Sequence, residues 1–329
     1  MTDSNKRNPG WPTQLSEQEA ISLASLSESL LPGFKQLLAE EKISNSDAFE
    51  HIHQHVYLPF CHWLVQQQDQ QPLIIGINGS QGSGKSTLTR ILKYLLESGF
   101  NKKVAYLSID DLYKTRAQRQ QLAATIHPLL QTRGVPGTHD TELGINILTQ
   151  LKSKKTESVS IPVFDKAIDD RLDESEWQQH HGECDFILFE GWCVGTVAEN
   201  DQALKQAVNT LEQSEDKDAS WRQYVNQQLK DDYASLFSHI DIQLLLKIPD
   251  FSKVYEWRQL QEQKLATKTQ QHAPTDKKHD IMDQQQVKRF IMHYERLTRH
   301  TLDEMPERCD VIFELGDDHM IKTVRARCE

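Results

Sequence analysis

From Ser16 to Gln68 apolar residues recur at helical spacing, with Ile21, Leu23, Leu26, Leu30 and Leu31 early and Val56, Leu58, Phe60 and Leu64 later. Pro32 and Gly33 punctuate that stretch, so a break is expected there. From Pro72 the period changes. Short apolar runs occur at Pro72–Asn78 (PLIIGIN), Val104–Ile109, Ser158–Phe164 (SVSIPVF), Asp185–Phe189, Ile240–Ile248 and Asp310–Leu315. Helix-periodic segments lie between them, at Lys85–Glu97, around Leu143–Leu151, and twice within Val197–Leu236. Strands that are apolar throughout and alternate with helices predict an α/β fold, with a mainly parallel sheet covered on both faces. Residues 1–15 read as a flexible tail, residues 1–70 together as a tail with a helical extension, and residues 71–329 as one domain. Thr115–Asp140 and Lys264–Gln286 are long and polar, and are expected to be mobile.

Composition narrows the function. A net charge of −11 over 329 residues argues against a protein that coats nucleic acid. The cysteines, Cys61, Cys184, Cys193, Cys309 and Cys328, are odd in number and have no CxxC spacing, so a reducing cytoplasm is the expected compartment. The N-terminus has no apolar signal core, and no apolar run approaches the roughly 18 residues a membrane helix needs. No membrane contact and no obligate protein partner are expected.

The first strand runs into Gly79-Ser80-Gln81-Gly82-Ser83-Gly84-Lys85-Ser86, which fits G-x-x-x-x-G-K-[ST]. Glycines let such a loop turn tightly and aim backbone N–H groups at phosphate oxygens, and the following helix adds its positive end. Lys85 would reach the β- and γ-phosphates and Ser86 would ligate magnesium. With Thr87, these residues are the expected ATP-binding set, and the fold becomes a P-loop NTPase of three α/β/α layers. A chance match needs neither the strand before it nor the helix after it, and both are present.

Ligands of an open parallel sheet sit beyond the carboxyl ends of its strands. There the sequence offers Asp110 and Asp111 after the second run, Asp165 and Lys166 after the third, and Glu190, Gly191 and Trp192 after the fourth. Phosphoryl transfer needs metal ligands, a residue that orients the acceptor hydroxyl, and cations on the phosphate. Asp110 is the expected proton acceptor, with Asp111 kept as the alternative, since either could merely cap a helix. Glu190 stands where a Walker B acid would hold magnesium through water, although a solvated strand end is the bland reading. Lys166 and Arg171 could bind an anionic acceptor or simply offset nearby acids.

The segments SIDDLY (Ser108–Tyr113), RGVPGTHD (Arg133–Asp140), FDKAIDDR (Phe164–Arg171) and FEGWCVG (Phe189–Gly195) resemble the D-glycerate 3-kinase group. More distantly the chain is similar to uridine kinase, phosphoribulokinase and bacterial pantothenate kinase. The resemblance runs from about Leu73 to the C-terminus and includes Val254–Leu265 and Phe290–Thr298. It implies Asp110 as base and Arg258 as a catalytic cation, with Lys85, on a lid over the phosphates. It also implies an acceptor site formed by Tyr113, Arg133, His139, Asp140, Asp165, Lys166, Arg171 and Trp192. Leu112, Cys193 and Val194 depart from the group's usual residues, which touches the acceptor more than ATP. The expected reaction is transfer of the γ-phosphate of ATP, with Mg2+, to a small, anionic hydroxyl acceptor, D-glycerate first. A nucleoside, pantothenate or another hydroxy acid remains open, as does an NTP-hydrolysing switch.

Three further features have bland readings. His51, His53 and His55 lie near Cys61 and His62, but on a helix only His51 and His55 share a face, which disfavours a metal site. The charges from Glu212 to Asp218 read as a solvated helix end. Phe290, Tyr294 and Leu297 have core spacing.

Overall fold

The computed structural model describes residues 15–43, 47–153, 157–259 and 283–327. The tail, Cys328 and most of the Lys264–Gln286 segment lie outside the described residues.

Among the described residues, five parallel strands and one antiparallel edge strand form the main sheet, in the order β10-β9-β8-β1-β7-β2. Its members are β1 (Leu73–Gly79), β2 (Val104–Ser108), β7 (Phe186–Gly191), β8 (Ile242–Lys247), β9 (Val311–Leu315) and β10 (Ile321–Ala326). β1 is central, paired in parallel with β7 and β8. Every residue of β7 is buried, as an apolar run predicts. Successive side chains point to opposite faces. Phe186 and Leu188 therefore enter one hydrophobic cluster, while Ile187 and Phe189 enter the other. Two clusters on two faces make three layers.

The first cluster contains the N-terminal helices. α1 (Glu17–Glu40), α2 (Asp47–Ile52) and α3 (Leu58–Gln67) place Leu30, Phe34, Leu38, Phe60 and Leu64 against Ile75, Leu92 and Phe313. These helices thus share the sheet's core. The break expected at Pro32 does not occur, and α1 runs through it. Tyr94 lies against Gly33 and donates to the Leu30 carbonyl (2.9 Å), tying that turn to α4 (Lys85–Phe100). His53 sits in a π-turn, paired with Ser27 (Nδ1···Oγ 3.0 Å), and the His51 ring lies tilted against His55 (4.3 Å).

The other face carries α6 (Thr141–Lys152), α7 (Thr210–Glu215), α8 (Ser220–Lys230) and α9 (Asp232–Phe237). Helical residues 252–259 (α10) follow β8. α11 (Gln284–Glu304) sends Val287 and Ile291 to the first cluster and Tyr294 and Leu297 to the second, with Phe290 packed against both.

Three expectations are corrected. Ser158–Phe164 is not a strand of the parallel sheet. β3 (Ser158–Ile161) pairs antiparallel with β6 (Gln178–His181) outside it, and β4 (Phe164–Asp165) forms a short hairpin with β5 (Asp170–Arg171). The alternation in SVSI leaves one face exposed, which a central parallel strand does not do. Thr115–Asp140 is ordered. α5 (Arg116–Thr125) carries the fully buried Arg119, which donates to the carbonyls of Lys114, Gln131 and Asp169. A buried cation in place of an apolar core made this segment look like a loop. Glu212 and Asp216 are fully buried rather than solvated. Arg296 on α11 pairs with Glu212 at 2.7 Å and Arg222 pairs with Asp216 at 2.7 Å. The cation for Glu212 comes from far along the chain, beyond any local pattern.

Candidate active site

β1 ends at Gly79 and α4 begins at Lys85, so the loop between them stands at the carboxyl edge of the sheet. Gly82 and Gly84 have φ of +80° and +87°, a region that favours glycine. A Cβ at Gly82 would also lie 2.9 Å from Trp257 Cβ, because α10 packs against the loop there. Arg258 follows, its guanidinium 5.3 Å from the Phe290 ring centre. The hydroxyls of Ser80 and Ser83 are buried without a partner among the described residues, as suits a cradle that takes an oxyanion. The Thr87 hydroxyl instead donates to Glu41 at the end of α1 (3.3 Å).

Sheet register brings Glu190 to this loop. In the parallel ladders Glu190 lies beside Ile77 of β1 and Ser108 of β2. Its Oε1 accepts from Ser86 Oγ (3.0 Å), Tyr106 Oη (3.0 Å) and Ser108 Oγ (3.2 Å). Its Oε2 is buried with no hydrogen-bond partner. A buried carboxylate oxygen left bare beside a P-loop hydroxyl fits a hydrated divalent cation. Tyr106 and Ser108 escaped the sequence reading. The signal was two polar residues at i and i+2 within an apolar strand. Burial, then the Glu190 charge, push the Tyr106 phenol far up, so it stays a donor. Among the described residues no group of three His, Cys, Asp or Glu side chains could itself hold a metal ion.

Asp110 is the second residue of the 3₁₀ turn Ile109–Leu112 that follows β2. Its Oδ2 takes Lys166 Nζ at 2.6 Å and its Oδ1 takes Tyr113 Oη at 2.9 Å. Burial pushes its carboxyl up. The ammoniums of Lys166 and Lys85, with those hydrogen bonds, outweigh burial and hold it well below the usual range. Asp111 differs. Burial, with the charges of Asp110 and Glu190, outweighs a hydrogen bond from Phe164 N–H (3.2 Å) and pushes it up to about 6. Asp111 thus anchors the β4–β5 hairpin, while Asp110 faces Lys85.

The other expected acceptor residues divide into two sets. Tyr113 stacks on His139 (4.5 Å), and His139 is buried beside Tyr233. Lys166 reaches Asp110 from the hairpin, whose turn Asp165 holds by accepting from Ala167 N–H (2.8 Å). Arg133 pairs with Asp169 and lies over Phe164 (5.4 Å). Asp140 and Arg171 bind each other (3.2 Å). Asp140 also caps α6, and Arg171 donates to the Tyr113 carbonyl (2.8 Å), so both serve the scaffold. Trp192 is buried, with its indole N–H on the Gly134 carbonyl (2.9 Å) and its ring against Tyr294.

No family model matches the chain. It is 36% identical over 232 residues to the protein called uncharacterized kinase mug58 of Schizosaccharomyces pombe, a match covering 68% of this chain and 79% of that one. It is 32% identical over 223 residues to the chloroplastic D-glycerate 3-kinase of Arabidopsis thaliana, covering 62% of this chain and 46% of the plant protein. The match thus spans less than half of that relative's length. The solved D-glycerate 3-kinase of Cryptococcus neoformans var. grubii shares the fold, with a TM-score of 0.66 and 24% identity over 94% of this chain and 98% of its own. With its P-loop on β1 and its kinase relatives, the chain belongs to the D-glycerate 3-kinase group of P-loop kinases and is an ATP-dependent small-molecule kinase.

Proposed function

We propose that this kinase phosphorylates D-glycerate to 3-phosphoglycerate. The observation that carries the reading is the meeting, at one sheet edge, of the phosphate loop, the half-bare Glu190 and a partly open Asp110–Lys166 pair. The acceptor hydroxyl would lie on Asp110. As its oxygen bonds to the γ-phosphorus, the bond from that phosphorus to the β–γ bridging oxygen breaks and the proton passes to Asp110. A carboxylate of low basicity suits this role, because the transition state is loose and positioning matters more than proton removal. Lys85 and the loop amides would neutralise the phosphates, with Arg258 above them. Ser86 and Glu190 would hold magnesium, which when bound supplies charge stabilisation to the β- and γ-oxygens.

Of the two arginines proposed for an acceptor carboxylate, Arg133 is better placed. The Arg171 fork is taken up by Asp140 and the Tyr113 carbonyl. Arg133 has one partner carboxylate, Asp169, that a substrate carboxylate could replace. The plant and Cryptococcus relatives named as D-glycerate 3-kinases support the same acceptor.

The test is ADP release by purified protein with ATP, Mg2+ and a panel of hydroxy acids, nucleosides and pantothenate. Glycerate-dependent release with 3-phosphoglycerate as product is expected. Absence of glycerate-dependent release overturns the acceptor, and hydrolysis indifferent to every acceptor favours a switch instead.

A further inference from the structure

Tyr233, on α9, was not singled out by any sequence motif, yet it sits at the centre of the acceptor-side loop. Its phenol oxygen accepts the backbone N–H of Gly137 (3.0 Å) and of His139 (3.3 Å). It also lies 2.5 Å from His139 Nδ1. A phenol oxygen has two acceptor positions, and the two N–H groups occupy both. The third contact must therefore use the Tyr233 proton, with O–H donating to Nδ1. Nδ1 then carries no proton, and the proton of the neutral ring resides on Nε2.

That Nε2–H is buried and has no hydrogen-bond partner among the described residues. Burial pushes the imidazole down to about 3, so the ring stays neutral through the physiological range. A buried donor without a partner is costly, and proteins keep few of them. Its surroundings belong to the reacting centre. The ring stacks on Tyr113, whose hydroxyl holds Asp110, and the Asp110 charge acts on the imidazole. Asp110 and Tyr113 lie on the 3₁₀ turn and its cap, and a β-bridge between Tyr113 and His139 fixes the two segments side by side.

We infer that Tyr233 is a positioning residue that holds His139 as a neutral Nε2–H donor to an oxygen of the phosphoryl acceptor. This rests on the proposed reaction only in naming D-glycerate, whose oxygens beside the transferred hydroxyl offer the acceptor atom. A fixed neutral donor discriminates against analogues that lack that oxygen, because its hydrogen bond is then left unmade.

Two measurements test it. In the ligand-free enzyme, 15N NMR of the imidazole nitrogens should show Nε2 protonated and Nδ1 bare, without titration from pH 5 to 9. The Tyr233→Phe variant should lose that fixed tautomer. An Nδ1–H ring, or an imidazolium at neutral pH, overturns the inference. In kinetics with D-glycerate, His139→Leu should lower kcat/KM for the acceptor by about 10²–10³ while the KM for ATP stays within about twofold. His139→Gln, whose amide can present a donor near the Nε2 position, should recover at least tenfold of that loss. Equal kcat/KM in the wild type and His139→Leu overturns the inference, as does a Gln variant no better than Leu. If the wild type releases no ADP with D-glycerate, the substrate reading falls. The same variants are then measured with the panel compound that does support release, and the tautomer spectrum stands by itself.

Discussion

Replacing Lys166 with Met removes the cation that faces Asp110 and keeps most of the stem. The pair is 2.6 Å apart, with Lys166 60% and Asp110 32% exposed. A contact pair at an effective dielectric near 20 would be worth about 4 kcal/mol, and in bulk water about 1 kcal/mol. The exposure puts this pair nearer the lower limit, so about 1–2 kcal/mol is a reasonable value after solvent screening. At 1.36 kcal/mol per pH unit, the Asp110 carboxyl should rise by about one unit. The sign follows from which form is active. In the proposed mechanism the ionised carboxylate orients the hydroxyl, and its depressed pKa keeps it ionised as the pH falls through the ordinary carboxylate range. In Lys166→Met the Asp110 carboxyl should therefore titrate about one pH unit higher, still on the acid side of the ordinary carboxylate range. Asp111, already raised to about 6, loses the same cation and moves the same way, so the direction is common to both carboxyls. Ionisation of ATP and the acceptor does not enter, because the titration is made on the ligand-free proteins. The assay is 13C NMR of the two aspartate carboxyls from pH 2 to 9, beside kcat at saturating substrates. A lower kcat with unmoved carboxyls would report a separate contact of Lys166 with phosphate. Carboxyl titrations that do not move, or move down, refute the electrostatic reasoning.

Asp110→Asn should keep ATP affinity within a few fold and lose transfer by orders of magnitude; unchanged turnover removes Asp110 from the chemistry. Glu190→Gln keeps the shape that receives three hydroxyls but not the charge on the bare oxygen. The magnesium concentration giving half-maximal activity should rise by about 10–100-fold, and an unchanged magnesium titration would deny Glu190 that role. Glu212→Leu takes from the buried Arg296 its closer carboxylate and leaves it only Glu199 at 3.3 Å. Urea unfolding should show a loss of about 3–5 kcal/mol, partly recovered by adding Arg296→Met, whereas a loss below about 1 kcal/mol would mean the pair is solvated after all.

The central sheet was legible because its strands are apolar throughout and spaced by helix-periodic segments. β10 was not, since its residues alternate on a half-exposed edge and its partner is a hairpin neighbour. The phosphate loop was legible residue by residue, because the motif names the two positive-φ glycines that shape its turn. Glu190 was legible from strand-end position, and the parallel register confirms where it stands relative to β1 and β2. What holds Glu190 was not, because a hydroxyl across a ladder is a tertiary contact with no spacing of its own.

The acceptor side shows why such legibility stops where it does. Asp165 and Lys166 were read as the end of a central strand, which would have made them as rigid as Glu190. They sit instead on a two-residue hairpin outside the sheet, held by Asp111 and by the arginine pair around Asp169. Glu190 is aligned by continuous parallel ladders on both sides, whereas Lys166 depends on one short hairpin and one exposed ion pair. A hairpin with few ladder bonds opens at lower cost than a central strand. On the proposed reading, the group that would meet the acceptor is thus carried by the part of the fold best able to adjust. The group that would hold magnesium is fixed by the sheet. Phosphate chemistry repeats the same geometry for every acceptor, so it can be written in a rigid motif. The proposed acceptor side rests on supporting side chains such as Tyr233, Arg119 and Asp169, whose contacts arise only when distant segments meet.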